Sequence, residues 1–397
     1  MGCQQVSEFR ATFRSGLGRR RSVIGAVAAI VAMLTSVSSA LAAGDFNSNH
    51  FYQTGLQPYR LAVADLDGDG HPDIVVANCG ETYASVLWNA GDGTFLSPKK
   101  LTTGPNTCPD GAAFGDFNKD GKLDVVVSEY KAGFVAVFLN KGHRKFSAAV
   151  KYNVFPATGP IGLAVGDFNK DGKLDIAVDD WGTDAVVLLK GKAAGKFAAA
   201  SARNPVGHFP EYILANDFGG DGKLDVVTGN TGGTTLSLLN GKGTGKFSAA
   251  TSLDVGGAIG GLAMGDFDRD GITDLVALDG TNNDVALFIG EPHGAFHHAA
   301  TFALGGSYAP AGIAVGDFNG DHFLDVAVGE EIGSSVAFFY GNGQGALTLQ
   351  STLYFGGFLP SDLQAAKFNA DSKPDLAVAN LGVQGSGVAG VTVLLNH

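Results

Sequence analysis

After residue 45 the chain carries no apolar stripe at helical spacing, which argues against a helical bundle and against crossover helices on a parallel sheet. It also lacks a linker. Composition does not shift between residue 45 and residue 397, so the length that could hold two or three domains reads as one. No basic patch with interleaved aromatics occurs, and 39 Asp and Glu outweigh 27 Lys and Arg. Nucleic acid and anionic lipid are therefore poor partners. Catalytic signatures are missing too: there is no His-Glu-x-x-His stretch and no Gly-x-Ser-x-Gly elbow. Gly241–Lys246 superficially looks like a phosphate loop, but Phe247 follows the lysine and no helix does, so it reads as a hairpin turn. His297-His298 falls in a polar rim strand and reads as solvent-facing. No residue is assigned a catalytic role. Glycine is abundant at 59 residues, yet without a period of three, which excludes collagen.

The first 42 residues differ from the rest. Arg19-Arg20-Arg21 precedes an apolar run from Val23 to Val37, and Ala40-Leu41-Ala42 offers small residues for cleavage. This pattern predicts a signal peptide over 1–42 and a secreted, periplasmic or extracellular mature chain. The run falls short of the ~20 residues of a spanning helix, so no membrane span is expected in the mature chain. Cleavage after Ala42 removes five arginines and Glu8, and takes the formal charge from −12 to −16.

Seven times, at spacings of 49 to 51 residues, a short acidic loop is followed at once by an apolar strand. The loops start at Asp65, Asp116, Asp167, Asp217, Asp266, Asp317 and, degenerately, Lys367. Within a repeat, two nearly unbroken apolar strands flank the loop, a third follows, and a fourth is polar and alternating. Four antiparallel strands per ~50 residues, repeated about an axis, predict an all-β propeller of seven blades over 43–397. Because the last repeat stops after its third strand, a strand near 46–53 is expected to supply the fourth and close the ring.

The loops carry oxygen ligands at positions one, three, five and nine, with glycine at six permitting a left-handed curl. Five meet the pattern: Asp65/Asp67/Asp69/Asp73, Asp116/Asn118/Asp120/Asp124, Asp167/Asn169/Asp171/Asp175, Asp266/Asp268/Asp270/Asp274 and Asp317/Asn319/Asp321/Asp325. Empty, such clusters would repel themselves; a hard divalent cation resolves that, and Ca²⁺ suits a flexible oxygen cage. About five or six ions are expected. The fourth loop keeps Asp217, Asp221 and Asp225 but has Gly219 at position three. The seventh places Lys367 at position one, where its ammonium is expected to replace the ion and pair with Asp371 and Asp375.

With Gly-Asp-Phe-Asn at Gly115–Asn118 and Gly166–Asn169, these loops resemble the FG-GAP and VCBS repeats of bacterial secreted proteins and of the integrin α-subunit head. The resemblance covers about 45–397. It implies a seven-bladed propeller with calcium in the turn between first and second strands, and it implies little about activity, since members include adhesion modules, lectins and non-catalytic parts of enzymes.

Strand direction puts the acidic loops on one face, here the lower. The upper face then receives Cys79 and Cys108, whose pairing is expected in an exported chain. It also receives Tyr59, Tyr83, Tyr130, Trp181, Phe209, Tyr212, Tyr308 and Phe358, beside Glu81, Glu129, Asp180, Glu211, Asp279, Glu330 and Glu331. Rings beside carboxylates suit a glycan or a cell-surface or extracellular protein, with no oligomer required. A polysaccharide-active hydrolase or lyase and a purely structural repeat protein are the alternatives.

Overall fold

The computed structural model describes residues 46–154, 159–200, 203–305, 309–354, 359–382 and 389–397. The expected signal peptide, Tyr308 and Phe358 lie outside the described residues. Among those described, no helix is long and apolar enough to cross a membrane.

Seven four-stranded antiparallel sheets form the molecule. In the second blade, Pro109–Gly115 is innermost, followed outward by Asp124–Glu129, Phe134–Phe138 and Val150–Asn153. Every residue of the second strand is buried in all seven blades, because each packs on neighbouring sheets through both faces. The outermost strand of the second blade is largely exposed, with only Tyr152 half-buried. The innermost strands touch in cyclic order, and that of the first blade, Pro58–Ala64, meets that of the seventh, Pro360–Ala366. The ring thus has seven members. Phe46–Gln53 pairs antiparallel with Gly390–Asn396, with His50 opposite Val393, and completes the seventh sheet.

The core is a set of seams between blades rather than one central cluster. Between the second and third blades, Val126 and Val137 meet Val178, Val187 and Phe197. Phe117 joins them from position two of its acidic loop, with its ring edge-on to Phe197 at 5.2 Å. The same position is buried in every repeat: Leu66, Phe117, Phe168, Phe218, Phe267, Phe318 and Phe368. Burying a side chain of this size contributes roughly 1.5–3 kcal/mol. Each acidic loop is therefore nailed into a seam by its second residue, while the side chains at positions one, three and five stay half-buried or exposed.

Candidate metal loops and ligand face

The ninth residue of each loop is built into the fold. Asp124 Oδ1 accepts the Asn140 N–H at 2.7 Å and Oδ2 accepts the Phe117 N–H at 3.0 Å. Asp73, Asp274, Asp325 and Asp375 repeat both bonds, and Asp175 and Asp225 keep the one to the chain 16 residues ahead. These carboxylates tie the loop to the end of the third strand, and all are buried. Burial, reinforced by neighbouring loop carboxylates, pushes Asp73 up to about 7 and Asp124, Asp175, Asp274 and Asp325 up to about 6, against the N–H bonds that pull them down.

The residue that meets this carboxylate from the third strand is asparagine or glycine. Asn89, Asn140 and Asn396 each send Nδ2 across the seam to the carbonyl of Phe368, Leu66 and Phe318 in the preceding blade. Sequence reasoning missed this contact; the recurrent asparagine after the third strand was its only signal.

The first-position aspartate organises the curl. Asp266 Oδ1 and Oδ2 accept the N–H groups of Asp270 and Gly271 at 3.1 and 3.0 Å. The curl contains two left-handed residues where only position six was expected. Position four is Gly68, Lys119, Lys170, Gly220, Arg269 and Gly320, all at positive φ. His322, at position six of the sixth loop, adopts φ 70° where the other five have glycine. In the seventh loop neither Ala370 nor Ser372 has positive φ, so that loop does not curl in this way.

Two loops bring three carboxylates within coordinating reach: Asp65, Asp67 and Asp73, and Asp266, Asp268 and Asp274, have ligand oxygens within 4.8 Å of one another. The donor set is the hard oxygen one that Ca²⁺ takes. The others are partly neutralised from within. Lys122, Lys173 and Lys223 stand 3.3, 3.1 and 2.5 Å from the position-five aspartates Asp120, Asp171 and Asp221. Asn169 turns Nδ2 to both oxygens of Asp175. Asn319 Nδ2 donates to Asp321. Gly219 contributes its N–H to Asp225 rather than a side-chain oxygen. The expected role of Lys367 is corrected: it is exposed, and among the described residues it makes no ion pair with Asp371 or Asp375. Asp371 stands 3.9 Å from the His397 imidazole instead.

On the upper face Cys79 and Cys108 are joined by a disulfide, Cα to Cα 4.0 Å, linking the first blade to the second. The aromatics are not spread evenly. Trp181 stacks on Phe209 at 4.0 Å and 10°, His208 also stacks on Phe209 at 3.7 Å, and Tyr130 meets Trp181 edge-on at 6.0 Å. Asp184 fastens this group by accepting the Phe209 N–H at 2.9 Å and contacting His208 Nδ1 at 2.8 Å. Tyr83 lies apart beneath the Lys100 ammonium, Tyr59 is half-buried, and Tyr212 lies on the axis beneath Arg60.

The carboxylates expected beside these rings mostly turn inward. Glu129, Asp180, Glu211, Asp279 and Glu330 are buried. Asp180 accepts the Thr183 hydroxyl, Asp279 caps Thr281 and Asn282, and Glu330 accepts Ser335, so each holds its own turn. Glu129 accepts the Cys108 N–H, and burial pushes it up to about 8. His297 and His298 go to different partners, Glu291 and Thr301.

Comparison with known proteins agrees with this architecture. The pattern of the FG-GAP-like repeat matches residues 65–127, 116–178, 217–277 and 266–328, and that of the FG-GAP repeat matches 309–349. A T-cell immunomodulatory protein homolog of Plasmodium yoelii yoelii is 28% identical over 153 residues, covering 34% of this chain and 21% of the relative. Its counterpart in Plasmodium falciparum (isolate 3D7) is 29% identical over 154 residues, covering 34% and 20%. The chain thus spans about a fifth of the length of these curated relatives. Among solved structures, BBS1N in complex with ARL6DN shares 14% identity at TM-score 0.62, covering 89% of this chain and 98% of its own. Virginiamycin B lyase from Staphylococcus aureus shares 13% at 0.59, covering 87% and 98%. An Agrocybe aegerita lectin specific for non-reducing terminal N-acetylglucosamine shares 19% at 0.54, covering 75% and 80%. At such identities these show the fold alone.

Proposed function

Since this chain belongs to the FG-GAP-like repeat family, we propose that it is an exported propeller, stabilised by calcium from below, that binds a glycan or protein ligand through its upper face. The observation that carries the binding role is the Tyr130, Trp181, Phe209 and His208 cluster. These rings gather on the upper face of adjoining blades, half-buried or exposed, with one stacked pair locked in place by Asp184. A preordered aromatic surface loses little freedom on binding, and it offers flat apolar area to a sugar ring or a protein side chain.

Calcium would be held by Asp266, Asp268, Asp270 and Asp274 in the fifth loop and by Asp65, Asp67, Asp69 and Asp73 in the first, with the asparagine-bearing loops weaker. The bound ion would supply positive charge among carboxylates that otherwise repel, so its part is to stabilise the fold rather than to react. The loops lie at the opposite ends of the strands from the aromatic cluster. Binding should therefore need calcium only insofar as folding does.

The test is a glycan array and an extracellular-protein panel, probed in calcium with the wild-type protein and with Trp181→Ala. Loss of a specific hit in the variant, with its melting temperature unchanged, supports the reading. A ligand bound equally well by Trp181→Ala places the site elsewhere and overturns it.

A further inference from the structure

Positive charge is unevenly placed on a chain that is acidic as a whole. Thirteen of the 22 lysines and arginines after residue 45 lie in the lower turns of the second, third and fourth blades. The lower turns of the other four blades hold three, Arg269, Lys367 and Lys373. The pattern is sharpest in the hairpins that join third to fourth strands. In 140–146, 191–197 and 241–247 the second and sixth residues are Lys141 and Lys145, Lys192 and Lys196, and Lys242 and Lys246. All six are exposed, and none makes an ion pair among the described residues.

The fold does not require these lysines. Lys192 stands directly opposite Lys196, and the Lys242 N–H donates to the Lys246 carbonyl at 2.9 Å. The same pairing joins Ala90 to Thr94 in the first blade, Glu291 to Ala295 in the fifth and Asn342 to Ala346 in the sixth. Like charges facing each other across an antiparallel pair cost stability, so the lysine pairs call for an anion from outside the chain. The surface they form is continuous from blade to blade. The Gly245 N–H donates to the Phe168 carbonyl at 3.0 Å and Lys190 Nζ to the Thr244 carbonyl at 3.0 Å, which lays the fourth-blade hairpin on the third blade. Lys119 and Lys170 occupy position four of their loops at positive φ, where three other loops have glycine. They reach toward the next loop at Gly172 and Gly222. Charges beyond ~8 Å are screened at physiological salt, so carboxylates on remote blades do not cancel this surface.

We propose that the lower face of the second to fourth blades binds a linear anionic polysaccharide. An arc of paired ammonium groups, repeated once per blade, suits a chain that carries sulfate or carboxylate groups at intervals. Nucleic acid fits less well, because no Phe, Tyr or Trp is exposed in these turns for a base to stack on. Arg144, the one guanidinium among them, is already held by Asp67. A membrane fits less well too, since no large apolar side chain is exposed at the hairpin tips, such as Ala193 to Gly195 and Gly243 to Gly245. The acidic loops lie within this face, and calcium bound there would add to its positive charge. The proposal does not depend on what the aromatic cluster binds.

The experiment is calorimetric titration at saturating calcium and about 0.1 M salt with heparin and hyaluronan oligosaccharides, which separate sulfate from carboxylate. Wild-type protein should bind one or both, with affinity that falls as salt rises. Lys192→Gln with Lys196→Gln, and Lys242→Gln with Lys246→Gln, should each weaken binding about tenfold, as the loss of two ionic contacts does at this salt. Lys151→Gln with Lys367→Gln removes the same charge from outside the patch and should stay within about twofold of wild type. Melting curves report that the double variants fold, and either patch variant decides if the other does not. Four results would overturn the proposal: no binding of either oligosaccharide by wild type, wild-type affinity in the folded patch variants, an equal loss in the outside variant, or tighter binding of duplex DNA or phosphatidylglycerol vesicles.

Discussion

Arg144 reaches from the second blade into the first acidic loop and sets Nε 2.6 Å from Asp67 Oδ2, with its other arm 3.5 Å from Asp69. The first loop therefore already has a resident cation, while the fifth, with equal carboxylates, has none among the described residues. The two should differ in calcium affinity although their sequences look alike. Arg144→Ala is expected to tighten calcium binding at the first loop by several-fold in a calorimetric titration. Asp268→Asn should abolish the tightest site. At a hundred times the dissociation constant, that loss removes about 2.7 kcal/mol of calcium-linked stability.

Glu129 predicts a pH effect of defined sign. Burial raises it from 4.5 to about 8 in the folded protein, so the native state holds a proton that the unfolded chain releases. Its contribution to stability is full below about 4.5 and is lost as pH rises through about 8. Glu129→Gln, which cannot titrate, should lose less stability than wild type between those limits. The gap should be on the order of 2–4 kcal/mol in urea denaturation followed across pH. Parallel curves for the two proteins would show that the carboxylate is ionised in the fold.

The Cys79–Cys108 bond spans a sequence separation of 29 and fastens two neighbouring blades. Replacing both cysteines with serine should cost about 2–4 kcal/mol, read from chemical denaturation, because the unfolded chain regains the freedom that the cross-link removed. Binding at the stacked Trp181 and Phe209 rings should survive, since they lie in the third and fourth blades; only Tyr130, whose N–H donates to the Cys108 carbonyl at 3.1 Å, adjoins the bond.

Asn140 bridges Leu66 O in one blade and Leu123 O in its own, at 2.7 and 3.0 Å. Asn140→Ala leaves both buried carbonyls short of a donor and should destabilise by roughly 1–3 kcal/mol. Asn140→Asp should be worse, because it turns a donor into a buried charge facing carbonyl oxygens.

How far the primary structure could be read depends on where each signal lies. Loops such as Asp116–Asp124 announce the blade count because their residues are contiguous and recur at one spacing. The terminal strand could be placed because a sheet of three with an exposed edge demands a fourth. The buried role of Asp124 could not be read, since its partner N–H lies 16 residues ahead and backbone groups leave no trace in composition. Nor could the inward turn of Glu129 and Asp180. They close the second strand of their blades just where the first strand bulges opposite, and in such a segment alternation no longer tells which way a side chain points. Lys367 misled for a different reason: its charge suggested an ion pair, whereas the backbone of that loop lacks the curl that would bring it to Asp371.

His50 and Val393 sit opposite each other in one sheet although nearly the whole chain separates them. The seventh sheet therefore cannot be assembled until almost all of the polypeptide has emerged, and nucleation at any one repeat cannot finish the molecule. An open array of repeats can fray from its ends; here the first and last described strands are zipped together, and losing either opens two seams at once. Melting should accordingly be a single sharp event shared by all seven sheets, and severing that one strand pair should blunt it more than any equal loss elsewhere on the rim.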